Sequence, residues 1–288
     1  MTKLRSPFDP PRVTCPLCRS PDIHAFDHDY RGVEIARCAA CGVKFMNPQY
    51  SDEHLAEYYS SYVQEEIDKA QTREFRVAQK TANFMLIERF VKPGRLFSIG
   101  CGDGVELQVA KLRGWAVEAY DVDAVTTARI AKKVGAAVYT GNLFALPLEN
   151  DAYDCVYLDQ VLEHPKNPGD YLRLCHRILK GDGVMYVGVP NIASLSSTVK
   201  TALGKAGLKK RRGRHYDSFH HLFYYSPSTL PGLLEHVYGF RVLHVQGDPK
   251  PNMSRSGLVA LRDTLKRHFP ALDSSFEVLA RPVKEPYR

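Results

Sequence analysis

Four cysteines near the start of the chain have the types and spacing of a metal site. Cys15, Cys18, Cys38 and Cys41 form two C-x2-C pairs separated by 19 residues. A C-x2-C pair on a tight turn directs both thiolates to one side, and two such turns supply the tetrahedral set that Zn2+ prefers. Four ligands leave no open position for water, so the expected zinc is structural rather than catalytic. Cys15-Pro16-Leu17-Cys18 and Cys38-Ala39-Ala40-Cys41-Gly42 read as knuckles, with Gly42 free to take the backbone angles after the last ligand. Paired thiols also serve redox chemistry, but two matched pairs on so small a module favour metal. A module of this size could hardly fold without it.

A second group of residues suits an organic cation. Gly100-Cys101-Gly102-Asp103-Gly104 follows the apolar run Leu96 to Ile99 and precedes Val105 to Arg113, which has helical periodicity and stops at Gly114. The glycines let the backbone approach a ligand at a helix N-terminus. Dinucleotide-binding turns read G-x-G-x-x-G and cradle a pyrophosphate. This loop is G-x-G-x-G and carries Asp103, whose carboxylate repels pyrophosphate but accommodates a ligand with an ammonium and a sulfonium. The next strand ends in Asp121, 17 residues after Gly104, where a carboxylate can accept both ribose hydroxyls. Both observations point to an adenosyl amino acid.

Histidines supply the candidate proton acceptors, because imidazole titrates near neutral pH. His164 follows the apolar run Tyr153 to Leu158 and the loop Asp159-Gln160-Val161-Leu162-Glu163, and His220 and His221 precede Leu222-Phe223-Tyr224-Tyr225-Ser226. Each of the three serves equally well in a structural role, such as tethering a loop carbonyl. Cys101, Cys155 and Cys175 sit singly in apolar segments and read as core or backbone-limited positions, none of them nucleophilic.

Three regions must position these groups. Residues 1–48 form the zinc ribbon, with short strands from Ile23 to Phe26 and Val33 to Arg37 around an Asp27–Gly32 turn. Residues 49–92 are a helical linker or cap; its Tyr50, Tyr58, Tyr59 and Tyr62 are candidates for core packing or for substrate contact. From residue 93 to 288, strand and helix alternate as in βαβ units. Expected there are a buried strand at Tyr153–Leu158, a helix from Pro168 to Lys180, a turn at Gly181-Asp182-Gly183 and a strand from Val184 to Val189. Ser226 to Thr229 caps a further helix, and Phe240–Val245 and Phe276–Val283 supply the last strands.

Composition excludes some classes and leaves others open. At 288 residues, 44% hydrophobic and 25% charged, the chain reads as globular, with one full α/β domain and a smaller appendage. No apolar run reaches membrane-spanning length, and Met1 to Pro7 has no apolar stretch behind its positive start, so a cytoplasmic protein is expected. The net charge of +7 suits a polyanionic partner such as RNA, a nucleotide-linked substrate or an anionic membrane surface. Six of the ten residues from Lys205 to Arg214 are basic. That run reads as a solvated helix face, a polyanion contact or a lid.

Phe97 to Asp121 resembles motif I and the following acidic position of class I S-adenosylmethionine-dependent methyltransferases. The resemblance implies a Rossmann-like α/β fold with a seven-stranded sheet. It also implies cofactor contacts from Gly100, Cys101, Gly102, Asp103, Gly104 and Asp121. Gly141-Asn142-Leu143 is similar to the segment that this family uses to hold adenine, with Asn142 where Asp is commoner. The loop after the fourth strand, from Asp159, faces donor and acceptor in the family. Val161-Leu162-Glu163-His164 is similar to the V-L-E-H of the ubiquinone-biosynthesis type, some of which hold a divalent metal with E-x-x-E-H. Gln160 stands at the first position here and departs from that set. His220 to Ser226 resembles the H-H-L-x-x-F-S stretch of zinc-ribbon and sugar-modifying members, and the insertion 192–225 lies where the fold builds its acceptor pocket.

Methyl transfer is an in-line displacement at a carbon activated by sulfonium, so alignment does most of the work. A base is needed only if the acceptor must lose a proton. The resemblance implies transfer to a hydroxyl or carbon of a small molecule: a sugar, quinone or secondary metabolite, nucleotide-linked or glycan acceptors included. The alternatives are an rRNA-type methyltransferase, against which the absence of N/D-P-P-Y after the fourth strand weighs, and a non-catalytic module on the same fold. Oligomeric state leaves no mark in the sequence.

Overall fold

The computed structural model describes residues 7–61, 73–208, 213, 216, 221–248 and 257–284. Apolar runs that are too short for core helices become parallel strands: β4 (Arg95–Ile99), β5 (Ala116–Tyr120), β6 (Ala137–Tyr139), β7 (Tyr153–Asp159) and β8 (Leu179–Pro190). With β10 (Phe240–Gly247) and β11 (Ser275–Pro282), they make a seven-stranded sheet of order β10-β11-β8-β7-β4-β5-β6. Only β11 runs antiparallel to both of its neighbours. The sheet is the expected α/β, Rossmann-like class I arrangement.

Because side chains alternate along a strand, each β strand feeds two cores. Phe97, Ile99, Val156, Leu158, Met185 and Val187 point to one face, packed with α5 (Pro168–Ile178) and α7 (Thr229–His236). Leu96, Cys155, Tyr157, Val184 and Tyr186 point to the other, packed with α2 (Arg73–Ile87) and α3 (Val105–Leu112). The remaining helices are α1 (Asp52–Ser61), α4 (Ala124–Val134), α6 (Leu195–Lys205) and α8 (Gly257–His268).

The N-terminal residues form a second sheet, β1 (Ile23–His28), β2 (Glu34–Cys38) and β3 (Lys44–Met46), joined in order β1-β2-β3-β9 by a strand from far along the chain, β9 (Phe223–Tyr224). Phe45 pairs with Phe223 and Lys44 with Tyr224. The buried Tyr238 hydroxyl donates to the Leu17 carbonyl between the first two cysteines at 2.9 Å. Arg12 reaches the Lys166 carbonyl and Asn167 at the head of α5. The small sheet is thereby fastened to the larger unit, directly beside the loop after β7.

Two expectations change. The helix expected to run to Lys180 ends at Ile178, and Gly181-Asp182-Gly183 lies in β8 rather than in a turn. Leu179 already pairs with Tyr153, which pulls the backbone into the sheet early. A Cβ at Gly183 would stand 2.9 Å from the Tyr153 carbonyl, so glycine is there for close backbone passage and not for reversal. Of the four linker tyrosines, Tyr50 is buried and stacks on Phe8. Tyr62 lies outside the described residues.

Candidate cofactor and acceptor site

Cys15, Cys18, Cys38 and Cys41 come together with all four sulfurs within 4.8 Å of one another, and none is in a disulfide. The Cys15–Cys41 and Cys18–Cys38 sulfurs are 3.7 and 3.5 Å apart. Zinc–sulfur bonds of ~2.3 Å in a tetrahedron put sulfurs ~3.8 Å apart, so the donor set fits zinc. The hydrogen bond with Cys41 pulls the Cys15 thiol down to about 5 and pushes Cys41 up.

The glycine loop follows β4 at the C-terminal edge of the parallel strands, where open α/β sheets hold ligands. Gly100 and Gly104 have φ of +76° and +73°. A Cβ there would stand 2.5 Å from Val161 and 2.8 Å from Ile130, so a side chain is excluded by angle and by space. Asp121, at the end of β5, accepts from the Gly102 amide at 2.9 Å and the Asp123 amide at 3.1 Å. Burial raises its pKa while those amides hold it down. A carboxylate with unused lone pairs is thus braced against the loop, as ribose recognition requires.

The other residues expected at the cofactor divide by what they expose. Cys101 is buried in the core, and burial raises its thiol pKa, leaving its backbone for contact. Asn142 is exposed, but its carbonyl oxygen accepts from the Phe144 amide and caps a 3-10 turn, so only its amide nitrogen remains to reach a base. The Leu143 side chain belongs to the core.

Asp103 and Asp159 meet cations that sequence reasoning passed over. Arg76 pairs with Asp103 and Lys80 with Asp159, each at 2.5 Å. Arg76 and Lys80 are four apart, so one face of α2 presents both to the cofactor end of the sheet. Burial disfavours the Lys80 ammonium, but Asp159 and Glu106 outweigh it and its pKa is raised. The i, i+4 basic pair beside Asn83 and Phe84 on the buried side of α2 was the available signal.

Across the β7 edge, Glu163, His164 and His221 converge. The Leu222 and Phe223 amides donate to the Glu163 carbonyl at 2.8 and 3.1 Å, bringing His221 over the loop. The two imidazoles meet edge to face, ring centres 4.9 Å apart. Their Nε2 atoms stand 3.8 and 4.0 Å from Glu163 Oε1. Glu163 is 1% exposed, and among the described residues neither carboxylate oxygen has a hydrogen-bond partner. Burial pushes its carboxyl up to about 8. Glu163 was visible in the V-L-E-H motif but not singled out; an orphaned carboxyl is a property of packing. His220 lies outside the described residues.

Residues 59–245 match the family described as methyltransferase domain. The chain belongs to that family. A ubiquinone biosynthesis O-methyltransferase of Caulobacter vibrioides is 34% identical over 119 residues, covering 39% of this chain and 45% of that one. A Mycobacterium tuberculosis protein named "Probable S-adenosylmethionine-dependent methyltransferase" is 32% identical over 98 residues, 34% of this chain and 36% of that one. The chain therefore spans less than half the length of these relatives. An S-adenosylmethionine-dependent methyltransferase of Mesorhizobium loti superposes with a TM-score of 0.51 at 18% identity, over 69% of this chain and 97% of that one, a likeness of fold. The cofactor of the family is S-adenosylmethionine, and the glycine loop with Asp121 fits it. Among the described residues, no helix is long and apolar enough to cross a membrane.

Glu106, in the first turn of α3, is fully enclosed, and burial pushes its carboxyl from 4.5 to about 8 against the pull of Lys80. The folded chain keeps a proton that the unfolded chain releases, so this contribution to stability is complete below pH 4.5 and is lost as pH rises to about 8. In thermal melts over that window, Glu106→Gln is expected to flatten the decline seen in the wild type. Parallel pH profiles would show that Glu106 holds no extra proton.

Proposed function

We propose that the chain transfers the methyl group of S-adenosylmethionine to a hydroxyl or carbon of a small molecule. The observation that carries this is the meeting of two half-sites on one sheet edge. The Gly100–Gly104 loop braced by Asp121 stands on one side, and the Glu163–His164–His221 cluster on the other. The similarity to a ubiquinone biosynthesis O-methyltransferase supports a small acceptor.

The cofactor, when bound, supplies a methyl carbon activated by sulfonium; the S–CH3 bond breaks as the acceptor–CH3 bond forms. Asp121 would accept hydrogen bonds from the ribose hydroxyls, and the loop amides at the start of α3 would hold the amino acid part. Arg76 is the cation that sits with Asp103, so these two together offer a positive and a negative group to a zwitterion. Asn142 would offer its amide nitrogen to the adenine. His164 or His221 takes the acceptor proton at Nε2, and Glu163, 3.8 and 4.0 Å away, steadies the imidazolium that results. The segment 192–225, which includes His221 and β9, forms the acceptor side. Residues 1–48 hold a structural zinc in Cys15, Cys18, Cys38 and Cys41, residues 49–92 cap the site, and residues 93–288 carry the transfer.

Methyl-labelled cofactor incubated with the chain and cell extract tests the substrate class: label is expected in small molecules or glycans, and label in RNA overturns the proposal. Asp121→Asn is expected to weaken cofactor binding about tenfold in calorimetry, the worth of a charge-assisted hydrogen bond; unchanged affinity removes Asp121 from the site. His164→Gln is expected to lower kcat by ~100-fold or more if it is the base, with cofactor affinity unchanged. Equal rates would shift that role to His221. Elemental analysis should find about one zinc per chain, lost on Cys18→Ser together with the ribbon's fold; folded, zinc-free protein would contradict the assignment.

A further inference from the structure

Three side chains from two distant parts of the chain put metal-binding atoms around one point. One oxygen of Glu163 and one ring nitrogen each of His164 and His221 lie within 4.8 Å of one another. Both rings direct Nε2 at the same atom, Glu163 Oε1, from 3.8 and 4.0 Å. A carboxylate that orients an imidazole by a hydrogen bond takes its N–H at roughly 2.7–3.2 Å, so these separations are too long. Two nitrogens standing off from a shared oxygen outline a coordination sphere instead. Zinc holds imidazole nitrogen and carboxylate oxygen at ~2.1 Å, which in a tetrahedron sets the donors ~3.4 Å apart. Each ring has to close on Glu163 by only about half an ångström to reach that spacing.

The backbone around the three donors is tied on both sides. The Glu163 carbonyl accepts the Leu222 and Phe223 amides, the His164 amide donates to the Val161 carbonyl at 3.0 Å, and the Tyr225 hydroxyl donates to the Leu162 carbonyl at 3.1 Å. Burial supplies a second, independent argument. The Glu163 carboxylate is enclosed without a hydrogen bond among the described residues, and no lysine or arginine among them pairs with it. A carboxylate in that state is stabilised most by a cation that it can bind directly. The imidazole side chains are 25% and 20% exposed, so an ion can reach the donors from solvent. Two imidazoles and one carboxylate select Zn2+ and its borderline neighbours, whereas Mg2+ and Ca2+ take oxygen ligands. The set is not the E-x-x-E-H arrangement: its third donor comes from the segment before β9, and Gln160 brings no charge.

We propose that Glu163, His164 and His221 form a second zinc site, separate from the four cysteines, open to solvent and exchangeable. Three protein ligands leave a fourth position for water, unlike the closed four-cysteine centre. With the ion bound, both Nε2 lone pairs are on the metal, and neither imidazole can take a proton. Zinc and the acceptor's proton therefore compete for the same atoms. That consequence rests on the reading of these histidines as the base; occupancy of the site does not.

The test is equilibrium dialysis of the full chain against Zn2+, with bound metal counted by elemental analysis. Once loosely held metal is removed, one zinc per chain should remain in the cysteines, and added Zn2+ should load a second. His164→Gln and His221→Gln should each weaken the second equivalent by about 100-fold or more, beyond the roughly 10–100-fold cost of losing an outer-shell partner, and leave the first in place. Glu163→Gln, which keeps the buried shape, should do the same. His24→Gln, at an exposed imidazole 2.6 Å from Asp22, should leave both equivalents bound. With Co2+ in place of zinc, only the first equivalent should show thiolate-to-metal charge-transfer absorption; such bands growing with the second would put it in the cysteines and overturn the proposal. A wild type that stops at one zinc also overturns it, as does a second equivalent that survives both histidine substitutions or that excess Mg2+ displaces. If the second zinc binds as expected and methyl transfer is undiminished, the site stands and the reading of the histidines as base falls.

Discussion

The Glu163 carbonyl accepts the amides of both Leu222 and Phe223, and much of the molecule's arrangement follows from that fork. It fixes the loop after β7 to the strand that completes the N-terminal sheet. Phe223 continues by pairing with Phe45 on β3, and the Met46 amide donates to the Leu222 carbonyl. Tyr225, buried just beyond, donates its hydroxyl to the Leu162 carbonyl. The N-terminal sheet, the β7 loop and the lead into α7 are therefore one hydrogen-bonded assembly, and the two imidazoles face each other because their backbones are held in register.

That assembly encloses Glu163 without giving its carboxylate a hydrogen-bond donor among the described residues. A buried carboxylate without a partner is costly, and such a group stays neutral or awaits a positive neighbour. The opposite face of the sheet solves a similar problem differently. There Lys80 enters among Asp159, Glu106 and Asp248, and the Tyr157 hydroxyl donates to Asp159. The α2 side is thus a network of charges in contact, while on the β7 loop side the His164 and His221 imidazoles stand 3.8 and 4.0 Å from Glu163 Oε1.

What could be read in the sequence is what depends on neighbours along the chain. The apolar runs of β4 and β7, the glycine loop and the paired cysteines are local patterns, and the structure places them as their periodicity and spacing require. What could not be read depends on tertiary encounter. Two residues make β9, too few for any period, and they form a strand only because β3 is there to pair with them. Arg76 and Lys80 look like the solvated face of a linker helix until α2 is laid across the sheet edge. Gly181 to Gly183 has turn composition, but Leu179 is already in register with Tyr153. Asn142 matched a base-binding position, and nothing local said that half of its amide would be spent on a cap.

The four-cysteine centre gains its importance from the same connectivity. Tyr238, in the turn after α7, holds the Leu17 carbonyl within the first cysteine knuckle, and a Cβ at Gly42, after the last cysteine, would touch Thr229 at the start of α7. The knuckles are therefore in contact with the start of α7 and with the turn that follows it. A metal bound to Cys15, Cys18, Cys38 and Cys41 would rigidify β2 and β3, and through β3 the two-residue strand that carries His221 towards Glu163. A structural metal there would in this way fix where the two imidazoles stand. The coupling needs no conformational change, because every link is a packed contact or a backbone hydrogen bond in a single arrangement.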